Sequence, residues 1–466
     1  MKIDLYKNLR NFSGLHSAVY SCYIIALSPL ITAIFAILSQ LTLGNTSKLG
    51  LLSAQIYTYS FVFVVLFLSI DLYRIILKER KFESFKTTLK TRPELFILLG
   101  FLIWNIIATL LQLAIFGHSY AFTTIIYPLG IQEGLFAFVI YGLCVLMAYF
   151  VKDKQIAKNI LFTFLIIVLL LSIFAFIDPC GNLIFQSHRN TTWASMFFNS
   201  NHFGYVLTLA TTLGGMWFVF ANKKWQKIVS CVLLVCFTAT SFMVDTFGSL
   251  IAIFVTFILI PIVLSWFKKQ FSYKYIVPVC VFIVVSFLMI PLGGYRYYST
   301  YVSFFRQVAG LFKDFFVVLF DVVSTAPTTE VAKQAGTNRW GLWLMALEEI
   351  MSSPIIGTGN VRLRPHNEYL QFAQVWGLPS LLIYISAFVV IFVKAIKHRS
   401  KLSNFSLALL FCIGAYLISA MFGNTMPHTI PFFALFLGFL ARWLNNDIYV
   451  NNGQTIEQNV EFKNKI

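Results

Sequence analysis

The sequence predicts an all-α, polytopic integral membrane protein of about 12 transmembrane helices, with one long structured loop between the ninth and tenth spans. Three observations predict it. The 466 residues are 58% hydrophobic and only 11% charged, against roughly 25% charged in soluble domains, so a water-soluble fold of this size could not cover itself. The apolar residues come in runs long enough to cross a bilayer, which takes about 20 residues per helix. The positive charge is sorted among the segments that join these runs. A net charge of +17 would point to nucleic acid in a soluble chain. Here basic loops held against anionic lipid headgroups account for it, so membrane lipids are expected as partners and nucleic acid is not.

The first run, Tyr20 to Leu41, is too long for a signal-peptide core and lacks a small-residue cleavage site, so it reads as a retained span at 20–42. A second span at 51–70 leads into the basic stretch Arg74–Arg92, which reads as lipid contact. Further runs give spans at 94–116, 131–151 and 159–177. After the segment from Asp178 to His202 come 203–221, 227–244 and 249–266, the last two parted by Asp245 and Gly248 with almost no loop. A ninth span follows at 276–292, then the long loop, then 375–393, 404–422 and 428–443. With the N-terminus in the cytoplasm, the inner segments hold 26 of the 35 Lys and Arg, and the short outer loops are nearly empty of them. The positive-inside rule therefore puts both termini in the cytoplasm of a multi-pass cell-membrane protein. The chain divides into spans one to nine (1–292, with an outer segment at 178–202), an outer loop (293–374), spans ten to twelve (375–443) and a cytoplasmic tail (444–466). None of the seven cysteines pairs at metal-ligand spacing, so neither a zinc site nor a disulfide framework is expected.

A loop of this length usually has structure and function of its own. Within it Phe304, Val308, Leu311, Phe315 and Leu319 form an apolar stripe at helical spacing, the pattern of a helix lying on the bilayer surface. After Asn338, a potential N-cap, Trp340, Trp343, Leu344, Leu347 and Met351 make a second stripe that Pro354 and Gly357 end. The loop closes on the richest polar cluster of the chain, Arg362, Arg364, His366, Asn367 and Glu368, just before the tenth span. Ionisable residues at a membrane boundary are functional suspects. A histidine there can be a general base near neutral pH, and arginines beside it can hold a diphosphate. The same residues also fit a helix cap and contacts to lipid phosphates, and the residue types alone leave both readings open.

His366-Asn367, nine residues, then Gly377-Leu378-Pro379-Ser380 resembles a motif of the O-antigen ligase and polymerase superfamily of bacterial glycan-assembly enzymes: His, then Asn, Ser or Gln, nine residues, Gly, two residues, and Gly, Thr or Tyr. Ser380 departs from the last position. Arg339, Trp343, Ala346, Pro354, Gly357 and Gly359 resemble the family segment leading into that motif. Arg189 followed by Phe197, Phe198, Asn199, Ser200 and Asn201 resembles its arginine-to-Asn-x-Asn stretch. A further family element, Ser-Arg-Gly at the eighth span, is replaced here by Asp245-Thr246-Phe247-Gly248-Ser249, with Phe247 in place of the arginine.

The resemblance implies a GT-C-like membrane glycosyltransferase that needs no metal or other cofactor and inverts the anomeric centre. Its donor would be an oligosaccharide on undecaprenyl diphosphate, and its working partners chain-length regulator and flippase proteins. It implies His366 as the catalytic base, and Arg189, Arg339, Arg362, Arg364, Asn199, Asn201, Asn367 and Glu368 as residues that bind the diphosphate or substrate. The expected activity is polymerisation of repeat units of O-antigen, capsule or exopolysaccharide. Ligation to a final acceptor is the alternative within the family, and precursor transport the alternative outside it.

Overall fold

The computed structural model describes residues 18–31, 92–117, 135–177, 195, 197, 200–289, 339–359, 364–424 and 429–449. Among them the regular structure is entirely helical. In chain order the helices are α1 (Ala18–Ile31), α2 (Pro93–Phe116), α3 (Leu135–Phe150), α4 (Lys154–Ile177), α5 (Ser200–Phe220), α6 (Lys224–Val244), α7 (Phe247–Lys268), α8 (Val277–Met289), α9 (Arg339–Ser352), α10 (Glu368–Lys397), α11 (Asn404–Ala420) and α12 (Ile430–Tyr449). Six of them, α2, α4, α5, α6, α7 and α10, are long and apolar enough to cross a membrane. The expected first span is described only to Ile31. The second span, the Phe304–Leu319 stripe and the 444–466 tail beyond Tyr449 lie outside the described residues.

Helices α2 to α7 run alternately up and down, and so do the 378–397 segment of α10, α11 and α12. Contacts at their ends make this explicit. At one end, called lower here, Lys154 Nζ donates to Ser403 Oγ at 3.1 Å, Lys268 Nζ to the Leu402 carbonyl at 3.3 Å, and the Ser403 amide to Asp447 Oδ2 at 2.8 Å. Arg399 lies over the Trp266 ring and Arg442 over Tyr149. At the upper end Thr246 Oγ1 donates to the Ser200 carbonyl and Thr429 Oγ1 to the His202 carbonyl, both at 3.2 Å. The lower end therefore collects the basic residues that flank the helices, among them Lys154, Lys224, Lys268, Lys394 and Arg399.

Polarity on α2 is arranged as lipid requires. Phe96, Ile103, Leu110 and Ile115 face outward, each close to half exposed or more. Asn105, Thr109 and Gln112 point inward and are fully buried. A hydrocarbon solvent offers no partner to these groups, so they must find one inside the bundle. Their partner is α10, which lies along α2. Elsewhere α3 packs along α12, and α5 lies between α6 and α11. Rings such as Phe164, Phe432 and Phe436 fill the centre, with centroids 5.1 to 5.4 Å apart.

The lower ends of α2, α10 and α12 are tied by a closed ring of polar groups. Lys394 Nζ lies 2.8 Å from Glu94 Oε2 and 2.7 Å from Asn445 Oδ1, and Asn445 Nδ2 donates to Glu94 Oε1. Glu94 is fully buried. Opposite charge and a shared amide satisfy each group, which is the condition for keeping charge out of water.

Candidate functional site

The sequence reading starts the tenth span at 375 with the His motif in the loop before it. The helix begins at Glu368 and reverses direction at Gly377. Gly377 has φ 83° and ψ 168°, a region open essentially to glycine alone. A Cβ there would stand 1.9 Å from the Ile355 carbonyl oxygen. The segments on either side are two helices, Glu368–Trp376 and Leu378–Lys397. In one straight helix Glu368 and Tyr384 would be about 24 Å apart, yet the Tyr384 hydroxyl donates to Glu368 Oε1 at 2.8 Å. The first segment is thus a half-helix folded back beside the second. Tyr384 lies about 10 Å below the reversal at 1.5 Å per residue, and Glu368 lies at that depth.

A half-helix end inside a bundle leaves carbonyls that need donors. Each finds one. The Gln374 carbonyl accepts from the Thr358 amide at 2.9 Å and from Thr358 Oγ1 at 3.2 Å. The Val375 carbonyl accepts from the Gly359 amide at 3.2 Å and Gln112 Nε2 at 2.6 Å. The Trp376 carbonyl accepts from Trp104 Nε1 at 3.0 Å. Gln112 Nε2 also reaches the Ile356 carbonyl, and the Leu378 amide closes on the Pro354 carbonyl at 2.8 Å. Ser380, the residue that departs from the family motif, donates to Asn105 Oδ1 at 2.7 Å, so the departure is a side-chain tie to α2.

At the other end of the half-helix, Asn367 is the N-cap: its Oδ1 accepts from the Tyr369 amide at 3.0 Å and the Leu370 amide at 3.1 Å. Asparagine is among the best caps because its short side chain satisfies amides that have no helical partner. His366 precedes it with φ 50°, half-buried, and the chain turns there between the exposed Arg364 and the buried cap. Glu368 is 2% exposed, and both its oxygens are used: Tyr416 OH donates to Oε2 at 2.8 Å, matching Tyr384 on Oε1. Tyr369 OH donates to the Leu417 carbonyl at 2.8 Å. Tyr416 stacks on Phe433 with centroids 3.9 Å apart. These groups form the polar corner of an otherwise apolar cavity of about 330 Å³ between α2, α3, α10 and α12.

Asn201, at the described end of the first stretch that carries the resemblance, lies near the end of α11 that also holds the start of α10. Asn201, half-buried, lies in the first turn of α5, and the carbonyl of its neighbour His202 is held by Thr429 before α12. One turn on, Tyr205 packs against the end of α11 so closely that a Cβ at Gly423 would lie 2.1 Å from its hydroxyl. The start of α5 thus rests on Gly423 and Thr429, on either side of the join between α11 and α12, and the start of α10 rests on the last turn of α11 through Tyr416 and the Leu417 carbonyl. Arg339 opens α9, whose Glu349 accepts a hydrogen bond from Gln374 of the half-helix. Arg189, Asn199 and Arg362 lie outside the described residues. Among the described residues no three of His, Cys, Asp and Glu converge as metal ligands do.

Sequence reasoning passed over Trp104, Asn105, Thr109 and Gln112, which hold the reversal, and Tyr384 and Tyr416, which hold its tip. A signal for the first set was present: Asn105, Thr109 and Gln112 recur at helical spacing inside an apolar run. The described helices define a helical membrane protein. No protein-family model matches the chain, and no curated protein matches it.

Proposed function

We propose that the chain is an inverting glycosyltransferase that polymerises repeat units of a surface polysaccharide, using undecaprenyl-diphosphate-linked oligosaccharide as donor at the outer face of the bacterial cell membrane. One observation carries the reading. The two fixed points of the His motif are the two ends of one folded-back half-helix, with His366 before its cap and Gly377 at its reversal. The nine-residue spacing is thereby given a physical cause. Twelve spans with both termini inside, and a lower end facing the cytoplasm, follow from the charge sorting.

In this reading the acceptor hydroxyl reaches His366, whose imidazole takes its proton as the oxygen attacks the anomeric carbon. The bond from that carbon to the diphosphate breaks, and Arg364 with Arg189, Arg339 or Arg362 receives the departing charge. Asn367 caps the helix through its Oδ1 and Glu368 accepts from two tyrosines, so in this reading both also shape the site around His366. Broken helices are also a feature of transporters, so precursor transport is the second reading.

The test uses purified protein in lipid with a single undecaprenyl-diphosphate-linked repeat unit. A product ladder that disappears in His366→Ala, with the variant still monodisperse, supports the polymerase. Full activity in that variant removes the central residue. Movement of substrate across proteoliposomes without glycosidic bond formation favours transport. Transfer only after a foreign acceptor is added marks a ligase.

A further inference from the structure

We infer that Glu368, Tyr384 and Tyr416 act as a positioning triad that fixes His366 in place; the inference rests on the proposed transferase reading. The half-helix Glu368–Trp376 is a short lever. Its upper end is held by the Gln112 and Trp104 side chains and by the backbone of Thr358 and Gly359. Its middle is packed by Phe372 against the rings of Phe101, Phe138 and Tyr384, and its lower end, which carries His366, lies beyond that packing. The lever is about 13 Å long at 1.5 Å per residue, so a 10° swing would move its tip by about 2 Å. A misplacement of about 1 Å at a reacting group costs on the order of a hundredfold in rate.

The carboxylate anchors that lower end. It is the first residue inside the helix, two positions from His366, and it joins the tip both to the second segment of α10 through Tyr384 and to α11 through Tyr416. Two hydroxyl donors need two acceptor oxygens on one rigid group. A carboxylate has them, whereas an amide offers one acceptor and two donors. Tyr369 to Leu417 adds a tie in the same place. Glu368 is a positioning residue and not a rival base, because both its oxygens face tyrosine hydroxyls inside an apolar wall.

The experiment uses full-length protein in lipid nanodiscs and two readouts. The first is kcat and KM for transfer from the lipid-linked donor. The second is the rate of carbethoxylation of His366 by diethyl pyrocarbonate, followed by mass spectrometry of its peptide, which does not depend on activity. The variants are Tyr384→Phe, Tyr416→Phe, the double variant and Glu368→Gln, with the exposed lower-end Tyr273→Phe as control. The tyrosine changes keep the rings and their packing, so each removes a single donor.

Each single change is expected to lower kcat about tenfold and the double change about a hundredfold, with KM altered less than about twofold. The His366 modification rate should rise severalfold in parallel, while that of His398 stays constant. Adding Glu368→Gln to the double variant should recover part of the loss, since the carboxylate would otherwise stand without donors. A His366 rate equal to wild type in all triad variants overturns the inference whatever the activity. A rate that rises while kcat stays at the wild-type value overturns it too. Wild-type protein that transfers no sugar, in a series where the His366 rate still rises, sinks the transferase reading and leaves the anchoring in place.

Discussion

Replacing Gly377 with alanine should do far more damage than the same change at another left-handed glycine, Gly117. At Gly377 the backbone sits at φ 83° and ψ 168°, where an L side chain costs about 1–3 kcal/mol. The new methyl group would also stand 1.9 Å from the Ile355 carbonyl oxygen and 2.4 Å from its carbon. The reversal must then open by more than an ångström. That breaks the amide-to-carbonyl bonds Thr358 to Gln374, Gly359 to Val375 and Leu378 to Pro354, each worth about 1 kcal/mol net. Together these costs come to on the order of 4–6 kcal/mol, a large share of what holds a typical domain together. Gly117, which ends α2, has φ 70°, and an added methyl group there would meet nothing within 4 Å. Its change to alanine carries only the backbone cost, about 1–2 kcal/mol. The assay is thermal unfolding of both variants in the same detergent, with the yield of monodisperse protein. Equal, mild shifts for Gly377→Ala and Gly117→Ala would refute the reasoning, because the clash and the lost ties would then not exist.

Other outcomes follow from the same contacts. Ser380→Ala and Asn105→Ala should each destabilise the protein modestly, and a double-mutant cycle in lipid should return a coupling of about 0.6–1.5 kcal/mol; zero coupling would deny the 2.7 Å bond. Lys394→Met leaves Glu94 buried and unpaired by charge and should cost about 3–5 kcal/mol. Adding Glu94→Gln should restore much of that, and a double variant worse than Lys394→Met would contradict the ring. His398, at the lower end of α10, is held below the usual histidine range by partial burial, then by Lys401, Lys394 and Lys397. The folded state therefore takes up its proton less readily than the unfolded chain. Its contribution is intact above the unfolded pKa of about 6.5 and is lost as the pH falls from there toward the folded value. The wild-type melting temperature should fall more between pH 7 and 5 than that of His398→Gln; identical slopes would count against the shift.

The positions of α2 to α8 and α10 to α12 are legible because each is an apolar run and basic residues mark many of the joints; six of them are long and apolar enough to cross a membrane. The interior of α10 was not legible in the same way. Glu368 to Lys397 reads as a loop end followed by an ordinary span, and nothing local in Gly377-Leu378-Pro379 says that the chain doubles back. The reversal depends on Gln112 and Trp104, remote in sequence, which supply the donors that make it tolerable. The ring at Glu94 was hidden for a similar reason: its partners Lys394 and Asn445 each looked like ordinary polar ends of spans. At the candidate site, His366 and its glycine stand out by spacing, whereas nothing local marks Glu368 as a buried carboxylate. Its burial against two tyrosines is a tertiary fact, since Tyr384 and Tyr416 lie one and two helical segments further on.

The capped half-helix between Asn367 and Gly377 turns length into phase. Its upper end is gripped through main-chain oxygens of Gln374, Val375 and Trp376, which any residue supplies. Apart from Glu368 and Tyr369 at its tip, amino acids along the strut can therefore change so long as they remain helical and fit their neighbours. Their number cannot. One residue inserted or deleted would turn the tip by about 100° and slide it by about 1.5 Å, aiming the imidazole into a different helix altogether. A chain built this way would keep a count more faithfully than it keeps the letters counted.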